Sequence, residues 1–219
     1  MITSIIFDMD GTILNTLKDI QISVNYAYQI KGYPLQSIDQ IRIAVGNGAT
    51  TLIKRTTPTN LSQEELDSVY QLYQTYYNAH HSDHTCPYEG IIELLKDLKS
   101  KGYKLAVVSN KVEHLVKELN EKMFFGLFDV AVGEIKGIPI KPAPDMIYKA
   151  LSLLNETREH AIFIGDSEVD IMTAKNAKLK SIGVTWGFRD QEILISHGAD
   201  YIINEPITVL TILERGIHE

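Results

Sequence analysis

The chain has 219 residues, of which 44% are hydrophobic and 22% are charged, a balance typical of globular proteins with a substantial core. Its formal net charge of -7 argues against a nucleic acid or an anionic membrane surface as a partner. The single cysteine, Cys86, excludes an intramolecular disulfide, and no apolar stretch approaches the roughly 20 residues that cross a bilayer. We therefore expect a cytoplasmic protein.

Short apolar segments typical of buried strands recur along the chain, and the first covers residues 4–7. The others lie at residues 104–108, 130–132, 161–164, 181–184 and 201–203. Helical patterns separate them, for example the apolar positions between Ile91 and Leu98, which Gly102 closes as a C-terminal cap. Strands that alternate with helices predict an α/β fold with a doubly wound, Rossmann-like parallel sheet.

One long segment interrupts this alternation. Residues 14–81 contain no convincing strand, but their apolar side chains follow helical spacing, and Ser62 with Glu65 forms a capping-box pattern before a second helix. A block of this size is too long for a loop. We therefore predict an α/β core of residues 1–13 and 82–219, with a small all-helical domain, residues 14–81, inserted after the first strand.

Polar side chains follow three of the predicted strands, in the segments 8–12, 109–110 and 165–170. Because ligands bind at the carboxyl ends of parallel strands, these segments should converge, together with Lys141 from the loop before a later helix. Crowded carboxylates repel one another unless a cation lies among them, and hard oxygen ligands favour Mg²⁺. The sequence thus predicts a magnesium site among the acids Asp8, Asp10, Asp166 and Asp170.

These residue types suit phosphoryl transfer. A carboxylate can take up a phosphoryl group as an aspartyl phosphate, which divides a difficult hydrolysis into two steps. Two aspartates two residues apart on an extended chain point the same way, so we expect Asp8 to attack and Asp10 to act as general acid and then as general base. The expected contacts to the phosphoryl group are Gly11, Thr12, Ser109, Asn110 and Lys141.

The segments at 8–12, 109–110, 141–142 and 165–170 resemble, in this order, the four motifs of the haloacid dehalogenase-like hydrolases. The resemblance implies that Asp8 is the nucleophile and that Lys141 steadies both the nucleophile and the phosphate. It also implies that Mg²⁺ is bound by Asp8, the backbone carbonyl of Asp10 and Asp166, with Asp170 supporting the metal shell. The helical insertion resembles a cap domain of the family's first class.

A closer resemblance is to the phosphoglycolate phosphatase-like members of that family. It rests on residues 45–48 in the insertion and on residues 183–188 and 198–203 near the C-terminus. It implies 2-phosphoglycolate as the substrate, with Gly46 and Asn47 as substrate contacts in the cap. Pyrophosphatases and sugar-phosphate phosphatases share much of these segments, and a phosphomutase of the same fold is a further alternative.

A signalling receiver domain is the alternative outside enzymes, because it also combines a doubly wound sheet with an acidic cluster. The helical insertion and the Asp8–Asp10 pair followed by Gly11-Thr12 argue against it. The expected partner is a small phosphorylated metabolite, and both a monomer and a homodimer are compatible with the sequence.

Three histidines, His80, His81 and His84, crowd the end of the insertion. On a helix, His80 and His84 could share a face and bind a transition metal. A polar connection between the two domains is the favoured interpretation, because no acidic or cysteine ligand completes a persuasive set.

Overall fold

A computed structural model describes residues 1–216 of the chain. Within this range the strands are β1 (Ser4–Phe7), β2 (Leu14–Asn15), β3 (Cys86–Pro87), β4 (Lys104–Val112), β5 (Val130–Glu134), β6 (Ala161–Gly165), β7 (Lys180–Val184) and β8 (Tyr201–Ile203). The α-helices are α1 (Leu17–Lys31), α2 (Ile38–Ala44), α3 (Gly48–Thr56), α4 (Gln63–His80), α5 (Ile91–Ser100), α6 (Glu113–Phe124), α7 (Asp145–Leu154), α8 (Glu168–Ala177), α9 (Gln191–Ser196) and α10 (Thr208–Arg215).

The main sheet has six strands in the order β5-β4-β1-β6-β7-β8, and every neighbouring pair is parallel. The first strand lies in the middle, where Ser4 pairs with Lys104 on one side and with Ala161 on the other. This arrangement confirms the predicted doubly wound α/β fold. It also brings the carboxyl ends of β1, β4 and β6 side by side, which is where ligands bind in such sheets.

Alternate residues of each central strand face opposite layers of helices. Ile5 and Phe7 of β1 lie in a core cluster with apolar residues of α5 and α6, whereas Ile6 lies in a second cluster with residues of α7 and α8. Both faces of the sheet are therefore buried, which explains why its strands are continuous apolar segments in the sequence.

Strand β4 is longer than the sequence predicts. It continues past Val108 to Val112, and its pairing with β5 shifts register between these two residues. Such an irregularity re-aims the side chains that it contains. The polar residues Ser109 and Asn110, with Lys111 after them, lie in this stretch, so they leave the regular ladder at the ligand-binding edge.

Local signals at the helix ends agree with the sequence. Ser62 and Glu65 form the predicted capping box at the start of α4. Gly102 follows the end of α5 with a φ of 85°, in the left-handed region that a C-terminal glycine favours.

The chain divides into two compact units. The core unit comprises Met1–Leu14 and the chain from Pro87 onward, and the helical unit comprises Asn15–Cys86. The two-stranded sheet of β2 and β3 lies at the two crossings between the units. The second crossing falls after the predicted residue 81, because the carboxylate of Asp19 accepts hydrogen bonds from the backbone amides of His84 and Thr85 and holds this stretch to the helical unit.

Among the described residues, no helix combines the length and the apolar character that a membrane crossing requires.

Candidate active site

Three carboxylates meet at the carboxyl edge of the sheet. Asp8 directly follows β1, Asp166 directly follows β6, and Asp170 lies in the first turn of α8. One ligand atom from each residue lies within 4.8 Å of the others, and all three residues are buried. The strands therefore bring together three of the four acids that the sequence analysis selected as metal ligands.

Lys141 lies among these acids. Its Nζ is 2.5 Å from Oδ1 of Asp8 and 2.6 Å from Oδ1 of Asp170. When all three carboxylates are ionised, their three negative charges exceed the one positive charge of Lys141 by two. Burial makes such an excess costly unless a further cation offsets it.

The acid-base properties of the cluster reflect this excess. Burial, together with the negative charges of Asp170 and Asp166, raises the pKa of Asp8 well above its usual value, and Lys141 offsets only part of this effect. Burial and the charge of Asp170 raise the pKa of Asp166 to about 7. Burial alone would lower the pKa of Lys141, but the neighbouring carboxylates raise it, so this side chain remains an ammonium.

The carboxylate oxygens of the cluster suit a divalent cation that prefers oxygen ligands. Three buried carboxylates converge on one point, and the excess of two negative charges matches the charge of such an ion. Asp8, Asp166 and Asp170 could therefore hold a metal. The predicted contribution of the backbone carbonyl of Asp10 stays a prediction.

Asp10 is placed differently from the other three acids. It is partly exposed, and its Oδ2 lies 3.1 Å from Nζ of Lys111. Its Oδ1 is buried and makes no hydrogen bond within the described residues. One oxygen of this carboxylate is thus fixed by an ion pair while the other retains its hydrogen-bonding capacity, as a group that exchanges protons with a substrate requires.

Lys111 is a residue that the sequence analysis missed. Its side chain is only 5% exposed, although lysine is rarely buried without a specific partner. The available signal was its position, since it directly follows Ser109-Asn110 at the end of a predicted strand.

Asn110 holds the loop that carries Lys141. Its side-chain oxygen accepts a hydrogen bond from the backbone amide of Lys141 at 2.8 Å, and its side-chain nitrogen donates to the Lys141 carbonyl at 3.0 Å. This contact gives Asn110 a positioning role in addition to its predicted contact with the phosphoryl group, which stays a prediction. Ser109 is buried beside it and accepts a hydrogen bond from the amide of Lys111.

Thr12 and Gly11 lie against Asp166. The hydroxyl of Thr12 donates to Oδ1 of Asp166 at 3.2 Å, and the Cα of Gly11 approaches the same carboxylate so closely that a side chain there would collide with it. Both were predicted to contact the phosphoryl group, and that prediction is untested. A further contact was not anticipated, since the backbone amide of Phe188 donates to Oδ2 of Asp166 at 2.6 Å.

The two predicted cap contacts lie in the helical unit, between α2 and α3. Gly46 has a φ of 114°, and Asn47 occupies the position before the first residue of α3. Nearby, Arg55 donates a hydrogen bond to the carbonyl of Ala44 and so ties α3 to the end of α2. The assignment of Gly46 and Asn47 to substrate binding stays a prediction.

The histidine cluster does not form a joint metal site. Nδ1 of His80 lies 2.8 Å from Asp83, whereas Nδ1 of His84 lies 2.8 Å from Asp19. The two side chains that were considered as a pair are therefore engaged by different aspartates. Across residues 1–216, the group that could hold a metal ion is the one formed by Asp8, Asp166 and Asp170.

Comparison of the sequence with family profiles assigns the chain to a family. The profile of the haloacid dehalogenase-like hydrolases matches residues 5–184 of the chain, a range that includes the whole acidic cluster. The chain belongs to the haloacid dehalogenase-like hydrolase family. The receiver-domain alternative is thereby set aside.

Curated relatives of this haloacid dehalogenase-like hydrolase include phosphoglycolate phosphatases and pyrophosphatases. A phosphoglycolate phosphatase of Aquifex aeolicus is 31% identical over 216 residues, covering 98% of this chain and 98% of the relative. A pyrophosphatase PpaX of Listeria monocytogenes serotype 4a is 30% identical over 217 residues, covering 97% of this chain and 96% of the relative. Overall similarity therefore does not separate the two activities.

Solved structures agree with the fold of this haloacid dehalogenase-like hydrolase. A protein from Lactobacillus delbrueckii subsp. bulgaricus, described as a candidate phosphoglycolate phosphatase, matches with a TM-score of 0.90 and 37% sequence identity. The match covers 94% of this chain and 96% of that protein.

Proposed function

We propose that this protein is a Mg²⁺-dependent phosphatase that hydrolyses a small phosphate monoester, most favourably 2-phosphoglycolate, through an aspartyl phosphate on Asp8. The observation that carries the proposal is the buried cluster of Asp8, Asp166 and Asp170 around Lys141, with Asp10 beside it. Asp8, Asp166 and Asp170 would hold Mg²⁺, which would supply positive charge to offset the negative charge of the phosphoryl group.

In the first half-reaction, an oxygen of Asp8 attacks phosphorus and the bond to the leaving oxygen breaks. Lys141 holds the Asp8 carboxylate in place through its 2.5 Å contact and contributes positive charge beside the phosphoryl oxygens. Asp10 donates a proton to the leaving oxygen, so that this oxygen departs as a hydroxyl group rather than as an alkoxide.

In the second half-reaction, water attacks the phosphorus of the aspartyl phosphate. Asp10, now a carboxylate, takes a proton from this water as the bond between phosphorus and the Asp8 oxygen breaks. The step releases inorganic phosphate, frees the carboxylate of Asp8 and returns Asp10 to its protonated form. Lys111 keeps Asp10 oriented through its contact with Oδ2, which leaves Oδ1 for proton exchange.

The choice of substrate rests on the relatives. Curated relatives named phosphoglycolate phosphatase support 2-phosphoglycolate, and the relatives named pyrophosphatase PpaX make pyrophosphate the second candidate. Both substrates present the same phosphoryl group to the acidic cluster, and both leaving groups carry negative charge. The core residues alone therefore do not discriminate between them.

The test is to measure phosphate release from 2-phosphoglycolate, pyrophosphate, sugar phosphates and p-nitrophenyl phosphate, with Mg²⁺ and with excess chelator. We expect turnover of at least one substrate, dependence on Mg²⁺, and the highest kcat/KM for 2-phosphoglycolate. A higher kcat/KM for pyrophosphate would assign the second candidate, and isomerisation of a sugar phosphate without free phosphate would assign a phosphomutase. Full activity in excess chelator would contradict the metal-dependent mechanism.

The predicted cytoplasmic location and the monomeric or homodimeric state are separate proposals, and neither follows from the geometry of the cluster.

A further inference from the structure

The loop that follows β7 lies directly on the metal-site residue Asp166. Within this loop, which spans residues 185–190, the backbone amide of Phe188 donates to Oδ2 of Asp166 at 2.6 Å. The hydroxyl of Thr12 donates to the other oxygen of the same carboxylate at 3.2 Å. Both oxygens of Asp166 are thus oriented by hydrogen bonds from the protein.

An ion pair ties this loop to the start of α8. Nε of Arg189 lies 2.8 Å from Oε2 of Glu168, and a terminal nitrogen of the same guanidinium lies 3.4 Å from Oε1. Arg189 is buried, and Glu168 is the first residue of α8. Arginine holds a carboxylate with a planar fork of donors, which restricts direction as well as distance. The pair therefore fixes the loop beside Asp166.

A second tie joins the loop to the segment after β1. Nε1 of Trp186 donates a hydrogen bond of 2.9 Å to the backbone carbonyl of Thr12. Because Thr12 also donates to Asp166, Trp186 fixes the residue that orients one oxygen of the carboxylate. The two ties hold the two donors of Asp166, Phe188 and Thr12, in place.

Close packing in the loop also requires a residue without a side chain. A Cβ added to Gly187 would lie 2.5 Å from Oδ2 of Asp166, a distance that real Cβ atoms essentially never show. Glycine at this position lets the backbone approach the carboxylate closely enough for the Phe188 amide to reach it.

We propose that the 185–190 loop is a positioning element for the metal site, in which Arg189 and Trp186 hold Asp166 in the orientation that binds the cation. The inference rests on the proposed function, because it takes Asp166 as a metal ligand. It assigns roles to Glu168, Trp186 and Arg189, none of which contacts the cation or the reacting atoms under this proposal. They are positioning residues.

The expected effect follows from how such outer contacts act. Removing the hydrogen-bonding partner of a metal ligand typically costs about 10- to 100-fold in metal affinity or activity. Arg189 holds the loop whose amide donates to Asp166, so we expect the lower end of this range, about tenfold.

The experiment measures metal affinity without relying on turnover. Mn²⁺ suits the same oxygen ligands as Mg²⁺, and free Mn²⁺ can be quantified by electron paramagnetic resonance. The full-length wild-type protein and the variants Arg189→Met, Glu168→Gln and Trp186→Phe would be titrated with Mn²⁺. The matched control is Lys180→Met, which removes the 3.0 Å ion pair with Asp200 at the other end of β7.

We expect about tenfold weaker Mn²⁺ binding for Arg189→Met and Glu168→Gln, a smaller loss for Trp186→Phe, and wild-type affinity for Lys180→Met. The double variant Arg189→Met with Glu168→Gln should lose no more than either single variant, because one ion pair is removed in each case. Saturating Mg²⁺ should restore most of kcat in these variants, since the reacting groups are unchanged.

Wild-type Mn²⁺ affinity in folded Glu168→Gln and Trp186→Phe would overturn the positioning role, even if Arg189→Met failed to fold. Equal losses in Lys180→Met would also overturn it, because the effect would then be general destabilisation. Failure of the wild-type protein to bind Mn²⁺ would instead refute the metal-dependent function, and this inference with it.

Discussion

Two buried aspartates, one in each unit of the molecule, have pKa values that are shifted in opposite directions. Asp8 in the core unit is 6% exposed and Asp19 in the helical unit is 2% exposed, so both side chains are shielded from solvent. The pKa of Asp8 is raised well above its usual value by burial and by the charges of Asp170 and Asp166. Burial also raises the pKa of Asp19, but hydrogen bonds from His84 and Thr85 outweigh this effect and bring the pKa below its usual value.

The difference lies in what surrounds each carboxylate, which is hydrogen-bond donors at Asp19 and further negative charges at Asp8. Asp19 accepts hydrogen bonds from the backbone amides of His84 and Thr85 and from the Thr85 hydroxyl, and its Oδ1 lies 2.8 Å from Nδ1 of His84. Asp8 shares one lysine with Asp170. A lone carboxylate with a complete set of donors stabilises a fold, whereas several carboxylates crowded together repel one another and require a cation. The cluster around Asp8 is therefore suited to catalysis, whereas Asp19 is suited to a structural role.

The largest expected effect comes from removing the charge of Asp8. Asp8→Asn should reduce kcat by about 10⁴- to 10⁶-fold, the range seen when catalytic residues that act as a unit are removed. The fold should be retained, because the change is nearly isosteric and relieves repulsion in the cluster. Phosphate release and far-UV circular dichroism check the two expectations. Near-wild-type turnover by folded Asp8→Asn would refute the covalent mechanism.

Metal removal also tests the contrast between the acidic cluster and Asp19. Excess chelator should abolish turnover, and Mg²⁺ at about 100 times its Kd should stabilise the wild-type protein by about 2.7 kcal/mol. Asp166→Ala should lose most of this stabilisation, whereas Asp19→Asn should retain it. Thermal unfolding with and without Mg²⁺ gives the measurement. An equal Mg²⁺ response in wild type and Asp166→Ala would place the cation elsewhere.

In contrast to Asp8→Asn, Asp19→Asn should lower the stability of the protein and have little direct effect on catalysis. We expect the free energy of unfolding to fall by about 2–4 kcal/mol at neutral pH, because several donors lose a charged acceptor. The kcat of the folded protein should remain within a few-fold of wild type. Urea unfolding followed by circular dichroism measures the first quantity. Unchanged stability would contradict the structural role of Asp19.

The pH dependence sharpens this test. The folded pKa of Asp19 lies below its usual value of about 4, so its ionised form stabilises the fold fully above that pH. This contribution is lost as the pH falls through the folded pKa, where both states become protonated. The stability difference between wild type and Asp19→Asn should therefore be largest near pH 7 and shrink below pH 4. A difference that grows in acid would have the wrong sign.

The sequence predicted the fold and the acidic cluster because both depend on local patterns. Three of the apolar strands are followed by the polar residues of the cluster, and a parallel sheet brings the carboxyl ends of its strands to one edge. What it did not predict depends on contacts between distant segments. Lys111 pairs with Asp10 and Phe188 binds Asp166 only after β1, β4, β6 and β7 have assembled. The register shift in β4 is likewise invisible in the apolar pattern.

Lys111 offers a smaller and more specific test of the core unit. Lys111→Met removes the ion pair that orients Asp10 but leaves Asp10 itself, so kcat/KM for an alkyl phosphate should fall by about 10- to 100-fold, less than most of the roughly 10²- to 10⁴-fold that general acid catalysis contributes. The loss should be smaller for p-nitrophenyl phosphate, whose leaving group needs little protonation. Asp10→Asn should show the same preference more strongly. Lys111→Arg, which preserves the charge, should recover part of the activity.

Equal losses on the alkyl and the aryl phosphate would indicate that Lys111 does not act through proton transfer.

The smallest expected effect concerns substrate specificity and involves residues of the helical unit. Under the proposed mechanism the core residues act on the phosphoryl group, which all candidate substrates share, so we propose that residues of the helical unit select the leaving group. Arg55 is exposed and uses one nitrogen on the Ala44 carbonyl, which leaves other guanidinium donors for a carboxylate. Arg42 and Asn47 are alternative candidates near the same turn.

Ethyl phosphate differs from 2-phosphoglycolate in lacking the carboxylate, so the ratio of the two kcat/KM values isolates recognition of the carboxylate. Arg55→Gln should lower this ratio about fivefold, equivalent to about 1 kcal/mol, whereas the neighbouring Lys54→Gln should leave it unchanged. Loosening of α3 would reduce both kcat/KM values together and would not change their ratio. If variants of Arg42, Asn47 and Arg55 all keep the wild-type ratio, carboxylate recognition by this turn is refuted, while the metal-dependent chemistry of the core unit is unaffected.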